Sequence, residues 1–367
     1  MGYVAVKGGT IAIDESIRRL KYERLKNRNI VDVKNVKSGM RGLIDIVMSE
    51  GSLYSERLAS LAIKQSEGNV EEAVFLIRAY RSTLERKYYT KTVNTEDMRV
   101  ERRISASFKD IIGGQILGAS YDYTHRLLDF SLEREILSKS IDWLNRFNLD
   151  CKKIEGQVKG IPKVLNYLRK EMLIEDISID NSEPVDITKK SMEFPTKRSE
   201  RLQSLTRGQT GAVVSLAYSS LRMSGIEHPT VGELRVGCVP LYIGNSEYEN
   251  DDYYIGEIKV TEVETLIPSS RKLDNGTEER MFEIGYGMCF GQNETKAISM
   301  SILDRCLEER NKDFPTGNEE FVLYSIDTVE ASGFMSHLKL PHYVTFQSEL
   351  NSVRRTREEN FENGYKI

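Results

Sequence analysis

The sequence is poor in the residues that bind metals and form disulfides, with four cysteines and four histidines among 367 residues. Cys151, Cys238, Cys289 and Cys306 lie far apart in the chain, so it offers no CxxC motif of an iron–sulfur cluster or a zinc ribbon. We therefore expect the cysteines to be reduced and, for the most part, buried as small apolar side chains.

Long hydrophobic runs and a strong excess of one charge are also missing. No segment approaches the roughly 20 apolar residues of a membrane span, and the first residues do not follow the signal-peptide pattern. A net charge of −4 gives no reason to propose a protein that coats nucleic acid. We expect a cytoplasmic protein with no membrane or nucleic-acid partner. Its length has room for two domains, or for one large domain with insertions.

Helical periodicity dominates the first half of the chain. Apolar residues recur at helical spacing, and Asn69 precedes one such segment as a candidate N-cap. A short strand is predicted at 3–6, running into Lys7, Gly8 and Gly9. The predicted helices lie at 14–26, at 58–65 with Leu61 and Ala62 on its apolar side, at 70–77 and at 137–144.

The second half changes character between Glu233 and Phe290. Three segments there, LRVGCVPLYI, YIGEIKVTEVETLI and MFEIGYGMCF, are rich in β-branched and aromatic residues and predict antiparallel strands. Two helical pieces broken near Gly208 and Gly211 precede them, and a helix at 293–308 follows. FVLYSI is interpreted as a last strand, and the charged tail 354–366 is expected to fray.

These patterns predict an α+β fold. The N-terminal half is helix-rich, and the C-terminal half combines a mainly antiparallel sheet with helices. Residues 177–193 are polar, contain a proline and lack helical periodicity. We therefore predict a helix-rich region at 1–175, a linker or long loop at 176–200, and an α+β region at 201–367.

Residues 99–130 form the segment with the most candidate functional side chains. Arginine forks match phosphate oxygens, and glycines let the backbone approach an anion. The candidate phosphate-binding residues are Arg102, Arg103, Lys109 and Arg126, and the candidate acid–base residues are Asp122, His125 and, from the later EHPTVGELRVG, Glu233. The alternative is a loop with surface Arg–Glu pairs and a hydrogen-bonded histidine, followed by the ordinary start of a strand at Glu233.

His337 and His342 are candidate metal ligands, five residues apart with Pro341 between them. On an unbroken helix, residues five apart lie about 140° round the axis and cannot share one ion. Because Pro341 cannot continue a helix but suits the first turn of a new one, we predict that the two histidines converge across a helix–helix corner. Zinc usually takes four ligands, so the others must come from elsewhere in the fold, from water or from another chain. The alternative is a structural role for both histidines.

Four long blocks of the sequence resemble one family. They are EGSLYSERLASLAIKQSEGNVEEAVFLIRAYR, ERRISASFKDIIGGQILGASYDYTHRLLDF, EHPTVGELRVG and ASGFMSHLKLPHYVTFQSEL, in that order. They resemble PhnI, a subunit of the carbon–phosphorus lyase core complex of bacterial phosphonate catabolism. The resemblance extends from Tyr3 to about Leu350 of this chain. The segments 245–254 and 274–280 and the loop 177–193 do not match, so we expect partner-facing loops to differ.

The resemblance implies the nucleosidase component of α-D-ribose 1-methylphosphonate 5-triphosphate synthase. With PhnG, PhnH and PhnL subunits, such a transferase displaces adenine from ATP with methylphosphonate, and alone it is expected to cleave ATP with water. Mg²⁺ is expected to accompany the triphosphate. The resemblance does not assign side chains to this chemistry. We expect phosphate contacts from Arg102, Arg103, Lys109 and Arg126, and acid–base or ribose contacts from Asp122, His125 and Glu233.

The resemblance also implies an assembly. The family pairs with PhnJ, the radical S-adenosylmethionine lyase, in a dimer of heteromers with a zinc ion at the PhnI–PhnJ interface. The family's ligands for that zinc correspond to His337 and His342. Two other functions stay open, a structural scaffold whose partners carry the catalytic groups, and a stand-alone zinc hydrolase. The absence of HEXXH or another complete metal motif disfavours the hydrolase.

Overall fold

The computed structural model describes residues 9–151, 160–174, 182–223, 228–244, 252–272, 276–311 and 313–362. Thirteen α-helices and one four-stranded antiparallel sheet lie within these residues, which confirms the predicted α+β class. None of the described helices is long and apolar enough to cross a membrane. The strand predicted at 3–6 and the turn at Lys7 and Gly8 lie outside the described residues.

The first five helices are α1 Gly9–Leu25, α2 Val33–Gly39, α3 Arg41–Gly51, α4 Glu56–Gln65 and α5 Val70–Ser82. Three of them, α1, α4 and α5, confirm predictions made from periodicity, while α2 and α3 were not predicted. Asn69 caps α5 as predicted, because its side chain accepts a hydrogen bond of 2.9 Å from the Glu72 amide. One detail was wrong, since Leu61 is exposed. Ala62 is buried as predicted and packs with Ala59 and Ile63 in a core shared with α2, α3 and α5.

The sheet and the helices around it follow. In chain order they are β1 Arg99–Ile104, α6 Leu137–Cys151, α7 Leu165–Lys170, α8 Arg198–Arg207, α9 Thr210–Met223, β2 Thr230–Ile243, β3 Tyr253–Lys272, β4 Glu278–Phe290, α10 Glu294–Glu309, α11 Glu319–Ile326, α12 Thr328–His337 and α13 Tyr343–Glu362. Short 3₁₀ turns occur at Thr95–Asp97, Phe130–Arg134 and Pro315–Gly317.

The strands lie in the order β1-β2-β3-β4, each antiparallel to its neighbour. One face packs on α10 in the largest hydrophobic core, which includes Val263, Leu303 and Leu307. The backbones approach closely here, since a Cβ on Gly285 or Gly287 would lie 2.0 or 2.1 Å from a carbonyl oxygen of α10. Two of the cysteines, at positions 289 and 306, are buried free thiols, as expected.

The opposite face of the sheet carries charged residues and is covered by residues 160–174. Leu165 and Leu168 of α7 pack with Leu266 of β3 in a small core at one end of this face. Because β1 precedes α6 in the chain and pairs with β2, the sheet joins the regions predicted at 1–175 and 201–367. That division into regions stays a prediction.

Two expectations about the C-terminal part were wrong. FVLYSI is helical and belongs to α11, because Asn318 caps its N-terminus and Val322, Leu323 and Ile326 are buried at helical spacing. The tail is not frayed as far as the structure describes it, since α13 continues to Glu362 with an Arg355–Glu359 ion pair along its surface.

Candidate functional site

The His337/His342 corner has the predicted form. His337 is the last residue of α12, and His342 directly precedes α13, whose Phe346 amide donates to the His342 carbonyl. The two imidazole rings lie 5.4 Å apart between centroids and are both half-buried. The break at Pro341 therefore brings together two rings that an unbroken helix would separate.

The hydrogen bonds of the two rings define which nitrogen each presents. Nδ1 of His337 bonds to the Phe334 carbonyl oxygen, and Nδ1 of His342 bonds at 2.6 Å to that of Leu340. Because a carbonyl oxygen only accepts, each neutral ring carries its proton on Nδ1 and keeps its lone pair on Nε2. This is the arrangement in which protein imidazoles bind metals.

A complete metal site is not formed by this chain's described residues. No group of three or more His, Cys, Asp or Glu side chains there is placed to hold one ion. The histidine pair is thus a two-ligand site that needs donors from water or another chain.

Arg102 and Asp122 form a second candidate cluster on the α10 side of β1. The buried Arg102 guanidinium donates to Asp122, to the Leu117 carbonyl and to Glu294 of α10, 3.0 Å away. Burial acts to lower the pKa of Arg102, but its charged partners, Glu294 foremost, raise the pKa overall. Arg102 is therefore a fixed cation beneath an exposed carboxylate.

The other candidates on this loop are exposed to solvent. Arg126 lies 3.8 Å from Asp122, and its guanidinium stands over the ring of Tyr121. His125 and Lys109 are exposed as well. The loop thus gathers the Arg102, Asp122 and Arg126 side chains, while the structure describes no contact that joins His125 or Lys109 to them.

Arg103, the next residue on β1, points to the opposite face of the sheet, where it pairs with Glu233 of β2. Neighbouring strand residues alternate between faces, and the Arg103 Nε to Glu233 Oε1 distance is 2.6 Å. The remaining Arg103 donors bind the carbonyls of Ile112 and Pro162. Both members of the pair are almost fully buried.

A charged layer that was not predicted from the sequence continues from this pair across β2, β3 and β4. Glu262 is its centre and accepts from four donors, at 2.7 to 3.0 Å: Thr95, Lys163, Arg235 and Tyr286. We name this group the Glu262 network. Glu264, next on the same face, lies 3.0 Å from Arg169 and 3.6 Å from Lys163.

The Glu262 network shifts the pKa of its members in opposite directions. Burial acts to raise the pKa of Glu262, but the charges of Lys163 and Arg235 and the hydrogen bonds from Lys163 and Thr95 lower it to about 2. Burial, together with the Glu262 charge, raises the pKa of the Tyr286 hydroxyl well above its usual value. Glu262 is thus an anion, and Tyr286 a neutral hydrogen-bond donor, at neutral pH.

The lowered pKa of Glu262 predicts acid sensitivity. A carboxyl with a pKa of about 2 when folded and about 4.5 when unfolded stabilises the fold above pH 4.5 by about 3 kcal/mol. This stabilisation is lost as the pH falls, to about half at about pH 3. We expect Glu262→Gln to be less stable than the wild type at pH 7 and to approach it in acid, measured as free energies of unfolding in urea across pH. A stability difference that does not change with pH would contradict this assignment.

A cavity of about 520 Å³ lies against the charged layer. Residues of two segments line it, Phe108 and 110–112 after β1 and six of the residues 162–170 around α7. Arg103 reaches it from the charged layer. Phe108 and Tyr167 form an edge-to-face aromatic pair with centroids 6.2 Å apart. The cavity therefore combines cations with aromatic and aliphatic surface.

The sequence did contain a signal for the charged layer. Glu233 and Arg235 alternate with apolar residues in β2, as do Glu262 and Glu264 in β3. Charged residues at every second position of strands so rich in β-branched residues indicate one charged face. Lys163 carried no comparable signal, because its segment has neither strand nor clear helical periodicity.

A comparison with family models supports the resemblance carried by the four sequence blocks. The model of a family described as bacterial phosphonate metabolism protein (PhnI) matches residues 2–360. The chain belongs to this PhnI family.

Three curated relatives cover nearly the whole chain. Alpha-D-ribose 1-methylphosphonate 5-triphosphate synthase subunit PhnI of Rhizobium meliloti (strain 1021) is 41% identical over 98% of this chain and 95% of its own length. The protein of the same name from Escherichia coli (strain K12) is 39% identical over 97% and 99%. Putative C-P lyase subunit protein HtxH of Stutzerimonas stutzeri is 39% identical over 98% and 96%.

Proposed function

We propose that this chain is the PhnI-type subunit of an α-D-ribose 1-methylphosphonate 5-triphosphate synthase in organic phosphonate catabolism. The observation that carries the proposal is its similarity to two proteins of that name, which extends over 95 to 99% of their lengths. The reaction we assign is transfer of the 5-triphosphoribosyl group of ATP to methylphosphonate, with release of adenine. Alone, the chain is proposed to act as an ATP nucleosidase.

The described residues include the kinds of group that displacement of adenine from ATP requires. Loss of adenine from the ribose C1′ develops positive charge on the sugar, so an acid for the leaving base and cations for the triphosphate are needed. Asp122 and His125 are the exposed acid–base candidates, with Arg102, Lys109 and Arg126 as phosphate contacts. We assign Mg²⁺ to the triphosphate of the substrate.

Glu233 and Arg103 are proposed to have a positioning role and not to contact the substrate as acid–base or phosphate-binding groups. Glu233 is buried, and its two oxygens already accept from Arg103 and from the Val164 amide at 2.9 Å. It therefore acts as a positioning residue that holds Arg103 at the cavity wall.

We assign zinc to the histidine corner, shared with a PhnJ-type partner. Two Nε2 lone pairs held by backbone hydrogen bonds suit Zn²⁺, and the missing ligands suit a shared site. The proposed assembly is a dimer of heteromers with PhnG, PhnH, PhnJ and PhnL subunits in the cytoplasm.

A scaffold function is the second candidate. It is favoured by the apolar side of α6, where Leu137, Ile141, Trp143, Leu144 and Phe147 are all exposed. Several large apolar side chains exposed together on one helix favour an interaction site. A scaffold would leave the catalytic groups on its partners.

Release of adenine separates the two functions. We expect the purified chain with ATP and Mg²⁺ to release free adenine, detected by chromatography. Asp122→Ala is expected to lower the rate at least 100-fold, as for loss of an acid–base group. Asp14→Ala, on the exposed surface of α1, is the matched control. Absence of adenine release by the folded chain, both alone and with its partner subunits and methylphosphonate, would exclude the nucleosidase and leave the scaffold.

A further inference from the structure

The cavity beside the Glu262 network has the size and lining of a small-molecule site. Its volume of about 520 Å³ falls within the roughly 300–1,000 Å³ of ligand pockets in proteins. Its wall is mostly apolar, with a few charged groups at defined places. A small ligand that is partly apolar and partly charged fits such a lining.

The charged part of the lining favours an anion. Lys163 and Lys170 line the cavity together with one carboxylate, Asp110. Arg103 also lines it, but its guanidinium nitrogens already bind a carboxylate and two carbonyls, so the lysines are the cations left for a ligand. The Lys163 side chain is only 13% exposed and is held in place by Glu262 at 2.9 Å and by Glu264 at 3.6 Å. An ammonium has three donors, so one remains for a ligand oxygen beyond these two carboxylates. Lys170 is exposed and can turn toward the same anion.

The aromatic part of the lining favours a flat ring. Tyr167 exposes 58% of its surface while its ring rests edge-on against Phe108, which fixes its orientation. Tyr167 therefore lines the cavity with a ring that is largely open to a ligand. Nucleic-acid bases stack favourably on aromatic side chains presented in this way.

We propose that this cavity binds a purine nucleoside triphosphate, with Lys163 and Lys170 contacting the phosphates and Tyr167 stacking on the base. The proposal rests on the synthase function and names the place of its nucleotide substrate. It is an alternative to the assignment of phosphate to Arg102, Lys109 and Arg126. Arg102 and Arg126 lie on the other side of β1, so one triphosphate cannot contact both sets of cations. Lys163 joins the bound phosphate to Glu262, so the buried network sets the position of this cation.

Two variants and two ligands test the proposal. In the complex as it is purified, the dissociation constants of ATP and of tripolyphosphate, which has no base, are measured by titration calorimetry. We expect Lys170→Ala to weaken both ligands about tenfold, as for loss of a charged hydrogen bond. Tyr167→Leu is expected to weaken ATP about fivefold to tenfold and to leave tripolyphosphate unchanged.

Matched controls exclude general effects of charge and shape. Lys34→Ala on α2 and Tyr218→Leu on α9 remove an exposed lysine and an exposed tyrosine away from the cavity, and both should bind ATP like the wild type. Lys163→Ala is avoided, because it would leave Glu262 and Glu264 buried with fewer partners.

The outcomes separate this proposal from the function on which it rests. Adenine release and ATP binding that are both unchanged in Lys170→Ala and Tyr167→Leu would overturn the cavity assignment and leave the synthase function standing. Equal weakening of both ligands by Tyr167→Leu would overturn base stacking. A wild-type complex that neither binds ATP nor releases adenine would overturn both proposals.

Discussion

Replacing Arg103 with alanine is expected to lower the free energy of unfolding by about 3–5 kcal/mol, because it leaves a buried carboxylate without its cation. Glu233 is 3% exposed and would keep only the Val164 amide as a donor. The carbonyls of Ile112 and Pro162 would lose their donor as well. Urea unfolding of the purified chain, followed by circular dichroism, measures the change.

The double variant is the sharper form of this test. Arg103→Met combined with Glu233→Leu removes both charges and keeps much of the volume, so it should cost less than the sum of the two single variants. Arg126→Ala is the control, since its guanidinium is exposed and its ion pair is worth about 0–1 kcal/mol. Two results would contradict a tightly coupled buried pair. In one, each single variant lowers the free energy of unfolding by less than about 1 kcal/mol, and in the other, the effects of the two single variants sum to that of the double variant.

The strands of the sheet were predictable because β-branched and aromatic residues dominate LRVGCVPLYI and its two successors. Antiparallel pairing followed from their short separations. What the pattern could not reveal is that β1, far earlier in the chain, completes the sheet beside β2. Its sequence RVERRI is too charged to look like a strand. Arg102 and Arg103 can lie in the sheet because each has a carboxylate partner on its own face, Glu294 and Glu233.

The error at FVLYSI has a general cause. A short apolar run has no resolvable period, so a buried strand and one side of a short helix look alike. The deciding information lay before the run, where Asn318 precedes Glu319 and Glu320. A capping residue followed by acidic residues in the first turn is a helix signal that outweighs β propensity in so short a segment.

The sequence predicted the types of residue in the candidate site better than the positions of their side chains in the fold. The sequence singled out Arg102 and Arg103 together, but consecutive strand residues serve opposite faces, so only Arg103 reaches the cavity. Lys163 was missed because its importance depends on Glu262, which is 99 residues away in sequence. When one member of a buried ion pair lies in a loop, the sequence around that residue gives no local sign of its distant partner.

The histidine corner leads to the second large effect. Replacing His337 and His342 together with alanine is expected to reduce zinc in the assembled complex from about one ion to well below one per copy of this chain. Both rings offer Nε2 from a fixed orientation, and removal of two of the usual four ligands leaves too few for stable tetrahedral coordination. Zinc per protomer is measured by mass spectrometry after gel filtration in metal-free buffer.

A matched histidine control and a check of assembly accompany the double variant. His228→Ala removes an exposed histidine from the segment before β2 and should leave the zinc content unchanged. Gel filtration in the same experiment checks whether the double variant still assembles. Stoichiometric zinc in the assembled double variant would place the metal elsewhere and reduce the corner to a structural turn. Loss of both zinc and assembly would instead show that the ion, or the corner itself, holds the partner subunit. The double variant His337→Gln with His342→Gln, which keeps polar side chains of similar length, would then distinguish zinc ligation from packing.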